Sequence, residues 1–219
     1  LRKIRENAAQ ERSLCSCDVP RERIHAATRT VDAPERPAPE TADTAGDGVR
    51  LGPPGALDGP DLWRLARDAG LDVNSPYAYT LWCRDFADTS VAARDAGGAL
   101  RGFVTGYARP GSPDTYFLWQ VAVDPAFRGR RLARRMLDHI GDRVAARGFT
   151  HLEATVTPGN AASRALFTSF ARDRGAEIGW SPLFGADHFP HDGPEAHEPE
   201  DLVRVGPLAG PPPPAGSPS

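Results

Sequence analysis

Trp119-Gln120-Val121-Ala122-Val123-Asp124-Pro125-Ala126-Phe127-Arg128-Gly129-Arg130-Arg131-Leu132-Ala133-Arg134-Arg135-Met136-Leu137 reads as a buried strand that stops at a proline, a short arginine-rich loop with one glycine, and a helix that begins at once. Such a junction aims backbone N–H groups and the positive end of a helix into one small space, an arrangement that holds a pyrophosphate without a metal ion. The arginines add charge and reach. Downstream, Leu132, Met136, Ile140 and Val144 recur every four residues with Ala133 and Leu137 beside them, an amphipathic helix that ends before Gly148. A strand over 151–156 follows, and Asn160 then caps a helix whose apolar face carries Ala162, Leu166, Phe167 and Phe170.

Upstream, residues 89–94 and 100–107 read as strands around the turn Asp95-Ala96-Gly97-Gly98, and a third strand runs over 115–123 after Gly111-Ser112-Pro113. Two helices precede this meander. Asp58 is placed to cap the first, which carries Leu62, Trp63, Leu65 and Ala66 and ends at Gly70; Ser75 and Pro76 open the second, which runs through Tyr79, Leu81, Trp82 and Phe86. A short strand comes before the first helix, and strand-like stretches near 176–184 and 201–205 come after the last. A strand-helix-strand unit beside a meander predicts an α/β fold: one mixed, mostly antiparallel sheet covered by helices in a single domain.

The domain is expected to span residues 49–206. Residues 1–48 show no sustained period and include the tract Ala33-Pro34-Glu35-Arg36-Pro37-Ala38-Pro39-Glu40; the end from 207 to 219 is likewise Pro-rich, and both are expected to be disordered. The chain opens at Leu1 and its single methionine is Met136, which predicts a non-ATG start or an over-extended N-terminus. A net charge of −3 supplies no field that would gather nucleic acid or an anionic membrane. No stretch approaches the ~20 apolar residues of a membrane span, and no secretory signal is visible, so a cytoplasmic protein is expected. Three cysteines, Cys15, Cys17 and Cys83, make no disulfide framework. His188, His191 and His197 lack the spacing of a closed zinc site, and no metal is expected.

The arginine loop resembles the acyl-CoA loop of the GNAT acetyltransferases, Arg/Gln-x-x-Gly-x-Gly/Ala, with Arg128 at the first position, Ala133 at the last and Arg131 in place of the middle glycine. The resemblance implies acetyl-CoA as co-substrate, held by Arg128, Gly129, Arg130, Arg131, Leu132 and Ala133, with the backbone of Val121 and Val123 along the pantetheine arm. Asn160 and Ser163 would supply a second contact, Asn160 serving as cap, contact or both. Arg131 must find an allowed backbone region and turn its side chain outward. Phe167 stands where many GNAT enzymes carry a tyrosine that reprotonates the leaving thiolate.

Further blocks lie outside the cofactor run: Leu71-Asp72-Val73-Asn74-Ser75-Pro76-Tyr77-Ala78-Tyr79, Thr155-Val156-Thr157-Pro158-Gly159-Asn160, Leu183-Phe184-Gly185-Ala186-Asp187-His188-Phe189 and His197-Glu198-Pro199-Glu200. In this order they are similar to the L-2,4-diaminobutyrate acetyltransferases of ectoine biosynthesis, over about 51–207. That resemblance implies a small diamine substrate, a homodimer and a pocket at Asp72, Asn74, Trp119, His197 and Glu200. Asp72 would hold an ammonium, Asn74 either end of the substrate and Trp119 an apolar or cation–π wall; Glu200 or His197 would accept the proton. Two other readings stay open, a GNAT enzyme for another small amine and an inert acyl-CoA-binding sensor. Cys83, on a helix with no histidine assigned to it, argues for direct attack rather than an acyl-cysteine.

Overall fold

A computed structural model describes residues 48–190 and 197–208. The expected leader, apart from Gly48, and most of the expected tail lie outside them, as does His191. Among the described residues, seven strands form one sheet in the order β1-β2-β3-β4-β5-β7-β6: β1 Arg50–Gly52, β2 Val91–Arg94, β3 Leu100–Arg109, β4 Ser112–Val123, β5 His151–Val156, β6 Glu177–Phe184 and β7 Glu200–Gly206. Four helices accompany it, α1 Gly59–Asp68, α2 Pro76–Asp85, α3 Leu132–Ala146 and α4 Ala161–Arg174. Every pairing is antiparallel except β4 with β5, which the α3 crossover joins in parallel. The expected mixed, mostly antiparallel sheet is observed, with β7 inserted between β5 and β6.

Alternation along the strands builds two cores. Val104 of β3 faces α3 and α4, where Met136, Ile140, Val144 and Phe170 close the larger cluster. Its neighbour Phe103, with Ala122 of β4, faces Leu62, Leu65 and Ala66 of α1 and Tyr79 and Cys83 of α2. Each fully buried large apolar side chain contributes roughly 1.5–3 kcal/mol relative to exposure. Leu208, assigned by sequence to the tail, is 7% exposed within the larger cluster, its N–H bonded to the Thr150 carbonyl at 2.7 Å.

Two local readings differ from expectation. Asp58 occupies the position before α1 but makes no side-chain cap there; its carboxylate accepts from the Gly55 N–H at 2.6 Å and pairs with Arg94. Thr89 falls in a 3-10 turn, so β2 begins at Val91, and β3 and β4 extend to meet at Arg109 and Ser112. Ser75 caps α2 and Asn160 caps α4 as expected, each accepting a backbone N–H, from Ala78 and Ser163 respectively.

The feature that positions the site is a break in β4. Gly106 of β3 pairs with Leu118 and Thr105 with Gln120, so Trp119 is an extra residue, a β-bulge. Pairing with β5 also stops here: it covers Thr115 to Leu118 against His151 to Ala154 and no further. Bulge and lost pairing together open a V between the ends of β4 and β5, leaving backbone polar groups of β4 unpaired on that side.

Candidate active site

The wall after β4 is the arginine loop. Asp124 fixes its start, accepting from the Ala126 N–H at 2.9 Å and from Arg101 at 2.8 Å. Gly129 (φ 76°) and Arg131 (φ 60°, ψ 20°) both adopt left-handed backbone, and α3 begins at the next residue, Leu132. Left-handed turns leading into a helix start gather N–H groups into an anion cradle. A cavity of about 560 Å³ lies beside it, with Val121, Val123, Arg128, Arg131, Ala133 and Ser163 among its lining.

The nominated cofactor residues are not equivalent in place. Arg128 is exposed and reaches the Ala69 carbonyl at the end of α1, at 3.3 Å. The Arg130 guanidinium lies over the Phe127 ring, 4.6 Å from its centroid. Leu132 is buried in the core, so only its backbone can face a ligand. Arg131 keeps the conformation that glycine takes without cost, while its exposed side chain adds charge to the cavity wall. Arg131→Gly should therefore raise the unfolding free energy by about 0.5–1 kcal/mol, relief of the left-handed backbone outweighing the extra freedom of the unfolded chain. The urea midpoint at unchanged slope would measure it, and a lower midpoint would contradict it.

A second cavity, about 450 Å³, sits on the other side of the V and brings Asp72, Asn74, Trp119, His197 and Glu200 together from three parts of the chain. Leu71, Val121 and Ser163 line both cavities, so the two meet at the end of β4. Trp119 is 36% exposed and packs against Trp82 at a tilt of 34°, ring centroids 4.3 Å apart, so it walls the cavity rather than filling the core. His197 lies flat on Phe189, 3.9 Å between centroids. Its Nδ1 is 2.7 Å from the Glu198 carbonyl, an acceptor only, which makes Nδ1 the donor and leaves the Nε2 lone pair free in the neutral ring.

Glu200 opens β7, and its Oε2 is buried without a hydrogen-bond partner among the described residues. Burial pushes its carboxyl above the ordinary glutamate range; the neighbouring His197 and a hydrogen bond from Thr155 pull the other way, and Asp201 and Glu198 add to the rise. Phe167 is buried at the cavity wall and brings no hydroxyl there. Among the described residues no three His, Cys, Asp or Glu side chains converge as a metal site, and no helix is long and apolar enough to cross a membrane. Sequence reasoning missed Phe184 and Phe189 as cavity residues, although both stand in the block 183–189 quoted above.

This geometry has counterparts. The model of the acetyltransferase (GNAT) family matches residues 60–171. An L-2,4-diaminobutyric acid acetyltransferase of Streptomyces coelicolor is 55% identical over 163 residues, covering 74% of this chain and 94% of its own. The chain belongs to the L-2,4-diaminobutyric acid acetyltransferase family of GNAT enzymes. A second member, from Streptomyces avermitilis, is 52% identical over 165 residues, covering 74% of this chain and 90% of its own. The solved structure of diaminobutyrate acetyltransferase EctA from Paenibacillus lautus, in complex with its substrate L-2,4-diaminobutyric acid and coenzyme A, is also similar. It superposes with a TM-score of 0.69 at 39% identity, over 73% of this chain and 95% of its own. The two cavities, a cationic groove and an acidic, aromatic one, share a wall at Leu71, Val121 and Ser163.

Proposed function

We propose that the chain transfers the acetyl group of acetyl-CoA to the 4-amino group of L-2,4-diaminobutyrate, giving N4-acetyl-L-2,4-diaminobutyrate for ectoine biosynthesis, by direct attack in a ternary complex. The observation that carries this is the pair of cavities meeting at Val121 and Ser163, one edged by arginines and a helix start, the other by carboxylates, a histidine and a tryptophan face. Arg128, Arg131 and the N–H groups from Gly129 to Ala133 hold the pyrophosphate. The unpaired edge of β4 at Val121 and Val123 takes the pantetheine arm and offers an N–H to the thioester oxygen, where negative charge develops. Asn160 and Ser163 border the thioester from α4.

In the acidic cavity Asp72 takes the α-ammonium, Asn74 a polar end of the substrate and Trp119 the face of its cationic or methylene part. The 4-amino nitrogen must lose a proton to attack. Glu200, directly or through His197 Nε2 or water, accepts it. As the new N–C bond forms and the C–S bond breaks, the thiolate is reprotonated by the proton shed from the nitrogen, because Phe167 has none to give. Cys83 is no nucleophile in this scheme: it is 1% exposed, and burial pushes its thiol up to about 12.

Turnover of purified protein with acetyl-CoA and L-2,4-diaminobutyrate tests the proposal. Thiol release with the acetyl group located on N4 by NMR, and no acetyl on Cys83 by mass spectrometry, is expected. Acetyl-CoA binding without thiol release would favour the inert sensor, and turnover on a different diamine only would reassign the substrate. The family resemblance adds a homodimer, which sedimentation would check; the cytoplasmic location expected from the sequence would be checked by cell fractionation.

A further inference from the structure

Asp72 and Asn74 sit in an extended segment, 71–75, with neither helix nor ladder to hold it, yet diamine binding needs both side chains fixed. Leu71 and Val73 are partly buried against the α1/α2 core, which turns the alternate residues Asp72 and Asn74 outward. Apolar contact alone permits sliding along the segment; hydrogen bonds set its register. The Leu71 N–H, bonded to the Ala66 carbonyl at 3.0 Å, fixes the start of the segment, and two side chains fix it further along. Gln120, the β4 residue after the Trp119 bulge, donates from Nε2 to the Asp72 carbonyl at 3.0 Å. Its Oε1 accepts from the Tyr79 hydroxyl at 3.0 Å, which ties the segment to α2 through Gln120.

We infer that Tyr79 and Gln120 are positioning residues for the substrate, a relay that ties the Asp72 carbonyl through Gln120 to α2 and so sets where the Asp72 side chain, with Asn74 two residues on, meets the diamine. The polarity of the relay is determined. The Asp72 carbonyl can only accept, which turns Gln120 Nε2 toward it and Oε1 toward Tyr79, whose hydroxyl then donates. The same Gln120 lies between Trp119, on the substrate side, and Val121, which lines both cavities. The strand that splays to admit the cofactor thus also holds the segment that selects the amine. Neither side chain needs to touch the reacting atoms.

The inference rests on the assignment of Asp72 to the ammonium, so the test carries Asp72→Asn beside Tyr79→Phe and Gln120→Met. Both clamp variants keep volume and apolar contact while removing hydrogen bonds. Each should raise KM for L-2,4-diaminobutyrate about tenfold, the loss of one or two neutral hydrogen bonds, with kcat within about twofold and KM for acetyl-CoA unchanged. The double variant should be little worse than either single one, since both cut one relay. If Asp72→Asn raises KM while both clamp variants match wild type, the relay is overturned and the Asp72 assignment stands. If Asp72→Asn leaves KM unchanged, that assignment falls and the inference with it. Lower thermal stability with unchanged KM would make the relay merely structural and overturn it; should Tyr79→Phe not fold, Gln120→Met, on the half-buried residue, decides alone.

Discussion

Glu200→Gln should lower kcat for L-2,4-diaminobutyrate acetylation by about a hundredfold to a thousandfold, the usual contribution of a positioned proton acceptor. The substitution keeps the shape of the side chain and removes only its basicity. Burial holds the Glu200 carboxyl above its ordinary range, so acidification protonates it at a higher pH than an exposed glutamate. The base is present above that raised value and lost as pH falls through it. The acid limb of kcat/KM in the wild-type enzyme therefore lies above the usual carboxylate range, and Glu200→Gln should abolish that limb along with the rate. His197→Ala should cost less, because the ring reaches the site on a flat stack with Phe189 and Glu200 retains its own buried oxygen. A Glu200→Gln enzyme within threefold of wild type, with the acid limb intact, would hand proton transfer to His197 or water.

Gly59→Ala should strongly destabilise the fold. A Cβ at Gly59 would stand 2.5 Å from the Thr80 Cα and 2.8 Å from the Thr80 nitrogen, both backbone atoms of α2 that no rotamer change can move. Relief requires α1 and α2 to separate, and the segment carrying Asp72 and Asn74 is the connection between them. Overpacking of this kind costs roughly 3 kcal/mol, which in a domain of this size lowers Tm by roughly 10 °C. KM for the diamine should rise more than KM for acetyl-CoA, because the loop from Asp124 to Arg131 is anchored on β4 and Arg101 rather than on α2. Calorimetry and substrate titration read the two effects separately; a variant as stable as wild type would show that the helices adjust freely.

The elements were legible because their signals are local. The four-residue repeat of Leu132, Met136, Ile140 and Val144, the Ser75-Pro76 start of α2 and the Asn160 cap of α4 depend on neighbours within a turn, and each is found where the pattern predicts. The left-handed backbone at Arg131 was half legible: the loop pattern marks a glycine position, but only the backbone shows that arginine accepts the same angles. Asp58 misled because a cap and a buried ion pair require the same side chain, and its partner Arg94 is 36 residues away. Leu208 misled because a Pro-rich sequence gives no sign that one leucine returns to the core.

By itself, then, the sequence determined the helices, the strands and the cationic turn before α3, since propensity, periodicity and charge are properties of short stretches. Only the tertiary structure decided the bulge at Trp119 and the parting of β4 from β5, which depend on register between strands distant in the chain. It alone brought Asp72, Trp119 and Glu200 to one cavity and tied Asp72 through Gln120 to Tyr79. Hydrogen bonds across 41 and 48 residues leave no mark on periodicity, because any polar side chain at position 120 would read the same until its partner is in place.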